Sequence, residues 1–198
     1  MKNLYTGVHG MIGASTKKNH ERVLDDFYST GDGAIDRLEK KYKLPFRVWE
    51  CACGDGALSE QLLKNNHVVT STDLVDRGFG KSGVDFLEVK TLPEDIDAIV
   101  TNPPYNIGVE FVCHAIELMK QNQNGVVAML LKTQFLESIN RYEKIFKNYP
   151  PTNVFQFVKR LTCYRNGDKT NDPGALMPFM WFVWDNKATH KGTLLEWI

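Results

Sequence analysis

The stretch Ile99-Val100-Thr101-Asn102-Pro103-Pro104-Tyr105-Asn106 begins as an apolar run and stops at two prolines. Proline has no N–H to give to a sheet, and it pushes the preceding residue into an extended conformation, so a strand must end there. Asn102 is therefore predicted to close a buried strand, with its side chain at the carboxyl end. In open α/β sheets ligands bind at that edge, so this stretch is the predicted centre of both fold and site.

An amide, a carbonyl and an aromatic ring are held together by this loop. The Asn102 side-chain oxygen and a main-chain carbonyl can together accept both hydrogens of an NH2 group. The main candidate for this carbonyl is that of Pro103. The Tyr105 ring, on a loop stiffened by two prolines, can stack on the ring that carries this group. The stretch predicts a site for a flat, amine-bearing substrate. The competing interpretation is a surface turn that closes a strand.

Composition narrows the class of protein. The 198 residues include 24 Lys+Arg and 24 Asp+Glu, so a nucleic-acid partner would have to be held by a local basic patch. No apolar run is long enough to span a membrane. The cysteines Cys51, Cys53, Cys113 and Cys163 lack the spacing of a zinc site and are interpreted as reduced thiols. We therefore expect no metal, no membrane segment and a cytoplasmic location.

The chain is predicted to form one α/β domain over residues 25–198, preceded by an irregular arm at 1–24. Helices are expected at 34–42, 57–64, 109–119 and 137–149. A third strand is expected directly before Asp85, and residues 194–198 are expected to be a short packing segment. The other predicted strands are 46–51, 68–73, 95–102, 125–131, 154–158 and 178–184.

A glycine turn links the first predicted sheet strand to a helix. Its sequence is Glu50-Cys51-Ala52-Cys53-Gly54-Asp55-Gly56. This layout lets a ligand approach the backbone and meet the helix N-terminus. The third glycine of the full dinucleotide fingerprint is missing, and a plain tight turn is the competing interpretation.

Asp73 ends the next strand, about 20 residues after the glycines, where a carboxylate can accept hydrogen bonds from ribose hydroxyls. The alternative for Asp73 is an N-cap of the following turn. Leu74 is expected to contact the adenine ring of such a ligand.

Substrate contacts are expected on the segment 159–171, which mixes basic residues, amides and a tyrosine, and at the end of the strand 125–131. A plain long connection is the competing interpretation of that segment. The predicted contacts are Lys132, Arg160, Tyr164, Arg165 and Lys169.

Four sequence features occur in one order along the chain. They are Asp26-x-Tyr28-x-Thr30, the glycine turn Glu50 to Gly56, Asp73, and Asn102-Pro103-Pro104-Tyr105. Together they resemble the S-adenosylmethionine (SAM)-dependent adenine-N6 DNA methyltransferases, specifically small orphan enzymes of bacteriophages and prophages. The chain departs from that pattern at Gly31 and Cys51, where the family usually has proline.

The resemblance implies a Rossmann-like class I methyltransferase fold. It has a seven-stranded, mostly parallel sheet whose last strand is antiparallel, with helices on both faces. It also implies SAM as cofactor and a DNA base that flips out of the duplex. The implied catalytic residues are Asn102, Pro103, Pro104 and Tyr105. The implied cofactor residues are Tyr28, Thr30, Glu50, Cys51, Ala52, Cys53, Gly54, Gly56, Asp73, Leu74, Asp85 and Phe86, with Asp85 on the adenine amine and Phe86 on its ring.

The chain offers no stretch long enough for the separate target-recognition domain of many family members. RNA bases and protein glutamine amides present a similar flat NH2 group, so methyltransferases acting on them are alternatives. Their first glycine motif usually opens with Asp rather than Glu50, which favours adenine. A further alternative is a non-catalytic protein of this fold that binds nucleic acid or a partner.

Overall fold

Nine strands are present in the computed structural model, which describes residues 26–170 and 177–198. The predicted arm, 1–24, lies outside the described residues. The strands are β1 (Tyr28–Thr30), β2 (Arg47–Glu50), β3 (Val68–Ser71), β4 (Ala98–Thr101), β5 (Val126–Lys132), β6 (Asn153–Gln156), β7 (Cys163–Arg165), β8 (Phe179–Asp185) and β9 (Leu194–Trp197).

The main sheet has seven strands in the order β3-β2-β4-β5-β8-β6-β9. Neighbouring strands are parallel, except that β8 runs antiparallel to both β5 and β6. The prediction of a mostly parallel sheet with an antiparallel strand at 178–184 is confirmed. Because β2, β3 and β4 are parallel neighbours, their carboxyl ends meet at one edge of the sheet.

Helices cover both faces of this sheet, as expected. They are α1 (Ala34–Glu39), α2 (Ala57–Lys64), α3 (Gly108–Met119) and α4 (Ile139–Arg141), the last continued by a π-helical turn over Tyr142–Phe146. The central strand β4 is buried at every residue, and alternate side chains belong to different core clusters. Ile99 packs in the cluster of α3, whereas Val100 packs in that of α1 and α2. This two-sided burial explains the continuous apolar runs of β4 and β5.

Two expectations about the sheet edges are wrong. The residues directly before Asp85 do not form a strand. The Asp85 side chain instead accepts a hydrogen bond from the Leu87 N–H and caps a 3-10 helix at Phe86–Glu88. Gly78 and Gly80 in the preceding loop have positive φ angles, which interrupt extended pairing. At the other edge, residues 194–197 form β9, which pairs in parallel with β6 rather than being a packing segment.

A separate two-stranded ribbon joins the beginning and the end of the described chain. β1 pairs antiparallel with β7, with Tyr28 opposite Arg165 and Thr30 opposite Cys163. The segment 159–171 was expected to be a loop, but residues 163–165 form a strand, and Asn171 lies outside the described residues. We call β1 and β7 the β1–β7 ribbon.

Gly31 explains one departure from the family pattern. Its N–H donates to the Thr162 carbonyl over 2.9 Å and extends the ribbon, which a proline could not do. A Cβ atom at Gly31 would also overlap that carbonyl oxygen. The close approach of the two segments therefore requires glycine at this position.

We expect Gly31→Ala to destabilise the fold by about 1–3 kcal/mol, because the added methyl group forces the ribbon apart. The matched control is Gly108→Ala at the start of α3, where a Cβ would make ordinary contacts with Leu131 and Phe135. Urea unfolding of both variants measures the effect. Equal stability of Gly31→Ala and the wild type would show that the ribbon tolerates a side chain there.

Candidate active site

A cavity of about 300 Å³ lies at the carboxyl ends of β2, β3 and β4, beneath the β1–β7 ribbon. This volume is at the lower end of the roughly 300–1,000 Å³ of small-molecule sites. The cavity brings together most residues that the sequence singled out. Those lining it are Tyr28, Thr30, Glu50, Cys51, Ala52, Cys53, Asp73, Leu74, Asp85, Phe86, Asn102, Pro103, Pro104 and Tyr105.

The glycine turn lies against two aromatic rings. Gly54 and Gly56 have φ angles of 57° and 85°, which favour glycine. A Cβ atom at Gly54 would overlap the Phe27 ring, and one at Gly56 would overlap the Phe79 ring. The turn is therefore fixed by backbone conformation and by close packing. Phe79 was not predicted, because its contact partner is 23 residues away and no local pattern links the two.

Asp73 is tied to the glycine turn. One carboxylate oxygen accepts the Gly54 N–H over 2.8 Å, and the other accepts the Val75 N–H over 2.8 Å. Each carboxylate oxygen has a second lone pair. Asp73 therefore holds the turn in place and keeps acceptor capacity in the cavity wall, where it was predicted to accept ribose hydroxyls.

Glu50 is buried below the cavity, with 1% of its surface exposed. The Ser59 hydroxyl donates a hydrogen bond to its carboxyl group. Burial raises the pKa of Glu50 well above its usual value, and the nearby charges of Asp73 and Asp55 add to this shift. The neutral form is thus favoured, which fits a structural role at the base of the cavity.

The neighbouring thiols are also kept protonated. Burial raises the pKa of Cys51 well above its usual value, and burial with the nearby Glu50 raises that of Cys53 to about 12. Both cysteines are free thiols. Because the thiolate is the nucleophile, neither cysteine is suited to attack a substrate at neutral pH.

Asn102 follows directly after β4, and both polar atoms of its side chain are hydrogen-bonded. The Nδ2 group donates to the Tyr28 carbonyl and to the Thr30 hydroxyl, each over 3.0 Å. The Oδ1 atom accepts the Tyr105 hydroxyl over 2.8 Å. Because a carbonyl can only accept, the Tyr28 contact fixes which end of the amide faces the ribbon.

Tyr105 is partly buried and packs against two other aromatic rings. Its ring lies 5.4 Å from the Tyr28 ring and 5.6 Å from the Phe179 ring, measured between centroids. Burial raises the pKa of Tyr105 well above its usual value, so its hydroxyl is a hydrogen-bond donor at neutral pH. Tyr105 also belongs to the cavity lining, and the stacking of a substrate ring on it stays a prediction.

Lys132, a predicted substrate contact, lies beside Tyr105. Its ammonium group is 4.5 Å from the Tyr105 ring centroid, a cation–π distance. Burial lowers the pKa of Lys132, and the negative charge of Asp26 opposes this shift. None of the five predicted substrate contacts, Lys132 included, is among the residues that line the cavity. Arg160 and Lys169 are exposed around β7, and Tyr164 and Arg165 belong to it.

Leu74, Asp85 and Phe86 differ in exposure although all three line the cavity. Leu74 is exposed, and Asp85 is an exposed N-cap. Phe86 is almost fully buried, and its ring packs against Trp49 and Phe111. Phe86 thus supports the cavity wall from the core.

Asp26 also lines the cavity, although no individual role was predicted for it. Its backbone has a φ angle of 51°, which is uncommon for a residue other than glycine. Its carboxylate accepts the Asn106 N–H over 2.8 Å and so links the segment before β1 to the loop after Tyr105. No spacing rule predicts this contact across 80 residues.

The cavity wall carries more negative than positive groups. Among the described residues, the lining includes Asp26, Asp55, Asp73 and Asp85, against one cation, Arg77, which lies over the Phe27 ring at 4.5 Å. A ligand with a positive charge is favoured in such surroundings. Within residues 26–170 and 177–198, no cluster of His, Cys, Asp or Glu could hold a metal ion, and no helix could cross a membrane.

No protein-family model matches this chain, and no curated protein matches it. Solved structures do match. A presumed class I SAM-dependent methyltransferase from Listeria monocytogenes aligns with a TM-score of 0.55 and 12% identity, over 81% of this chain and 61% of its own length. A presumed hemolysin from Lactococcus lactis aligns with a TM-score of 0.53 and 12% identity, over 75% of this chain and 83% of its own length.

These similarities establish the fold. The chain has the Rossmann-like α/β fold of class I SAM-dependent methyltransferases, as the sequence predicted. It spans less than two thirds of the length of the Listeria protein. At this identity the match carries no information on substrate, which has to be argued from the site.

The buried Glu50 predicts a pH dependence of stability. Its folded-state pKa is raised, so the folded protein keeps a proton that the unfolded chain releases. Stability therefore falls as pH rises between the two pKa values, by about 1.4 kcal/mol per pH unit. Glu50→Gln removes this loss, so we expect the variant's stability advantage over the wild type to grow between pH 5 and pH 8.

Urea unfolding across that pH range measures the difference. The matched control is Glu60→Gln, an exposed glutamate on α2, for which no such growth is expected. A difference between Glu50→Gln and the wild type that stays constant with pH would mean that Glu50 is ionised in the folded protein.

Proposed function

We propose that this chain transfers a methyl group from SAM to the N6 amino group of adenine in DNA. One observation is the main support for this proposal. The amide of Asn102 lies at the edge of the same cavity that Asp73 and the glycine turn border. A group that accepts amine hydrogens is thus placed beside a pocket suited to a nucleoside ligand.

The cavity residues fit SAM. Asp73 retains acceptors for ribose hydroxyls, and the surplus of carboxylates suits a ligand with a sulfonium and an ammonium group. Ser29 and Thr30 of β1 also belong to the cavity lining and bring polar groups to its edge.

When bound, SAM supplies a methyl group on a positively charged sulfur, ready for displacement by a nitrogen. The protein's task is to activate and place the target amine, whose lone pair is delocalised into the adenine ring. Asn102 Oδ1 and the Pro103 carbonyl accept the two amino hydrogens and favour the pyramidal, more nucleophilic nitrogen. Placement of the amine in line with the methyl group supplies much of the remaining rate gain.

Tyr105 takes part in this cycle beside Asn102. Its hydroxyl uses one of the two acceptor positions of Asn102 Oδ1 and leaves the other for a hydrogen of the target amine. Its ring belongs to the cavity lining, where the adenine would stack on it. A base taken from a duplex loses its stacking neighbours, and an aromatic side chain replaces them.

DNA is the favoured substrate on two grounds. The order of the four sequence features matches the adenine-N6 DNA enzymes, including the Glu50 at the start of the glycine turn. Exposed cationic residues also lie on β7 and close to it in the sequence, where they can contact phosphates. These are Arg160, Arg165 and Lys169.

Incubation of the protein with tritiated SAM and, in separate reactions, duplex DNA, RNA and protein extract tests the substrate class. We expect label in DNA, as N6-methyladenine. Label only in RNA or in protein glutamine would favour those alternatives, and SAM binding without transfer to any of the three would favour a non-catalytic protein. Methylome sequencing after expression in a methylation-free host would then give the recognition sequence.

Asn102→Ala is expected to abolish methyl transfer, because the amine loses its side-chain acceptor. SAM binding should largely survive, since Asn102 contacts the ribbon and Tyr105 rather than the glycine turn or Asp73. Calorimetry and tritiated-methyl transfer measure the two effects. The control is Asn124→Ala, an exposed residue before β5. Full activity of Asn102→Ala would refute the assigned role.

Asp73→Ala is expected to weaken SAM binding at least about tenfold, the effect of losing a charged acceptor and the support of the glycine turn. Asp76→Ala is the matched control, because Asp76 lies on the same loop but is absent from the cavity lining. Titration calorimetry gives both affinities. Unchanged binding by Asp73→Ala would remove Asp73 from the cofactor site.

A further inference from the structure

The orientation of the Asn102 amide depends on residues outside the Asn-Pro-Pro-Tyr motif. Its two amino hydrogens are donated to β1, one to the Tyr28 carbonyl and one to the Thr30 hydroxyl. With both hydrogens used, Oδ1 is directed away from β1 and toward Tyr105. The acceptor that the proposed reaction needs is therefore presented by contacts with the ribbon.

Thr30 is built into this arrangement. It is 4% exposed, and its backbone is held in register opposite Cys163. The next residue, Gly31, donates its N–H to Thr162 and locks the end of β1. The Thr30 hydroxyl thus meets Asn102 at a fixed position, set by the pairing of two segments about 130 residues apart in the sequence.

We propose that Thr30 is a positioning residue for the Asn102 amide rather than a direct cofactor contact. This rests on the proposed function. The Thr30 hydroxyl accepts one Asn102 hydrogen, the Tyr28 carbonyl accepts the other, and together they hold Oδ1 where the target amine binds. The β1–β7 ribbon influences the reaction through this contact, because the pairing of its strands fixes the position of the Thr30 hydroxyl relative to Asn102.

The comparison of Thr30→Val with Thr30→Ser separates the two roles. Valine keeps the shape and burial of threonine but cannot accept a hydrogen bond, whereas serine keeps the hydroxyl. We expect Thr30→Val to lower kcat about tenfold, the effect of one lost hydrogen bond, with SAM affinity within about twofold of the wild type. Thr30→Ser is expected to retain most of kcat.

Weaker SAM binding by Thr30→Val with unchanged kcat would overturn the proposal and return Thr30 to the cofactor site. Loss of kcat in both Val and Ser variants would also overturn it, since the hydroxyl would then not be the determinant. If Thr30→Val fails to fold, Thr30→Ala provides the same comparison with less bulk in the buried position.

A readout independent of catalysis is the side-chain NH2 signal pair of Asn102 in a nitrogen-15 spectrum, identified by its absence in Asn102→Ala. We expect Thr30→Val to shift one proton of this pair upfield and to speed its exchange with water, whereas Thr30→Ser leaves it near the wild-type position. An unchanged pair in Thr30→Val would refute the contact. Because this result needs no methyl transfer, it stands apart from a failure of the proposed function.

Discussion

The end of β4 at Pro103 and Pro104 is the constraint on which the site depends. The two prolines end the central strand β4, so Asn102 lies at the edge of the sheet that the carboxyl ends of β2, β3 and β4 form. The core clusters on both faces hold β4 in place through Ile99 and Val100. A buried, rigid strand thus fixes the position of one amide, while the loop after it remains free of the sheet's hydrogen bonds.

Two segments meet at that amide. β1 supplies the two acceptors for its nitrogen, the loop after the prolines supplies the Tyr105 hydroxyl for its oxygen, and Asp26 ties the two together through Asn106. The β1–β7 ribbon adds the segment 159–170, which reaches Asp55 of the glycine turn near Gly167. The covering of the cavity and the placement of the amide are therefore parts of one hydrogen-bonded unit.

The sequence predicted what local patterns determine. The helix 57–64 agrees with α2 at both ends, and β4 and β5 follow from apolar runs bounded by prolines, glycine and polar residues. The gathering of Asp73, Glu50 and Asn102 at one cavity follows from the parallel connection of their strands. These features depend on burial and backbone stereochemistry, which are determined by residues close together in the sequence.

Features that depend on contacts between residues far apart in the sequence were not predicted. The three-residue strands β1 and β7 carry no alternating pattern, and their pairing depends on Gly31 meeting Thr162. β9 was missed because Leu194 and Leu195 stay exposed, so its place beside β6 leaves little hydrophobic signal. The position of Tyr105 depends on rings from Tyr28 and Phe179, which come from opposite ends of the chain.

A crystal structure of the protein with S-adenosylhomocysteine, the product left after methyl transfer, tests the central claim most directly. The account predicts that the ribose lies on Asp73, that the ligand follows the glycine turn, and that its sulfur faces Asn102 across a gap that one methyl group and one amine would fill. A ligand bound outside this cavity, or a sulfur directed away from Asn102, would contradict the account.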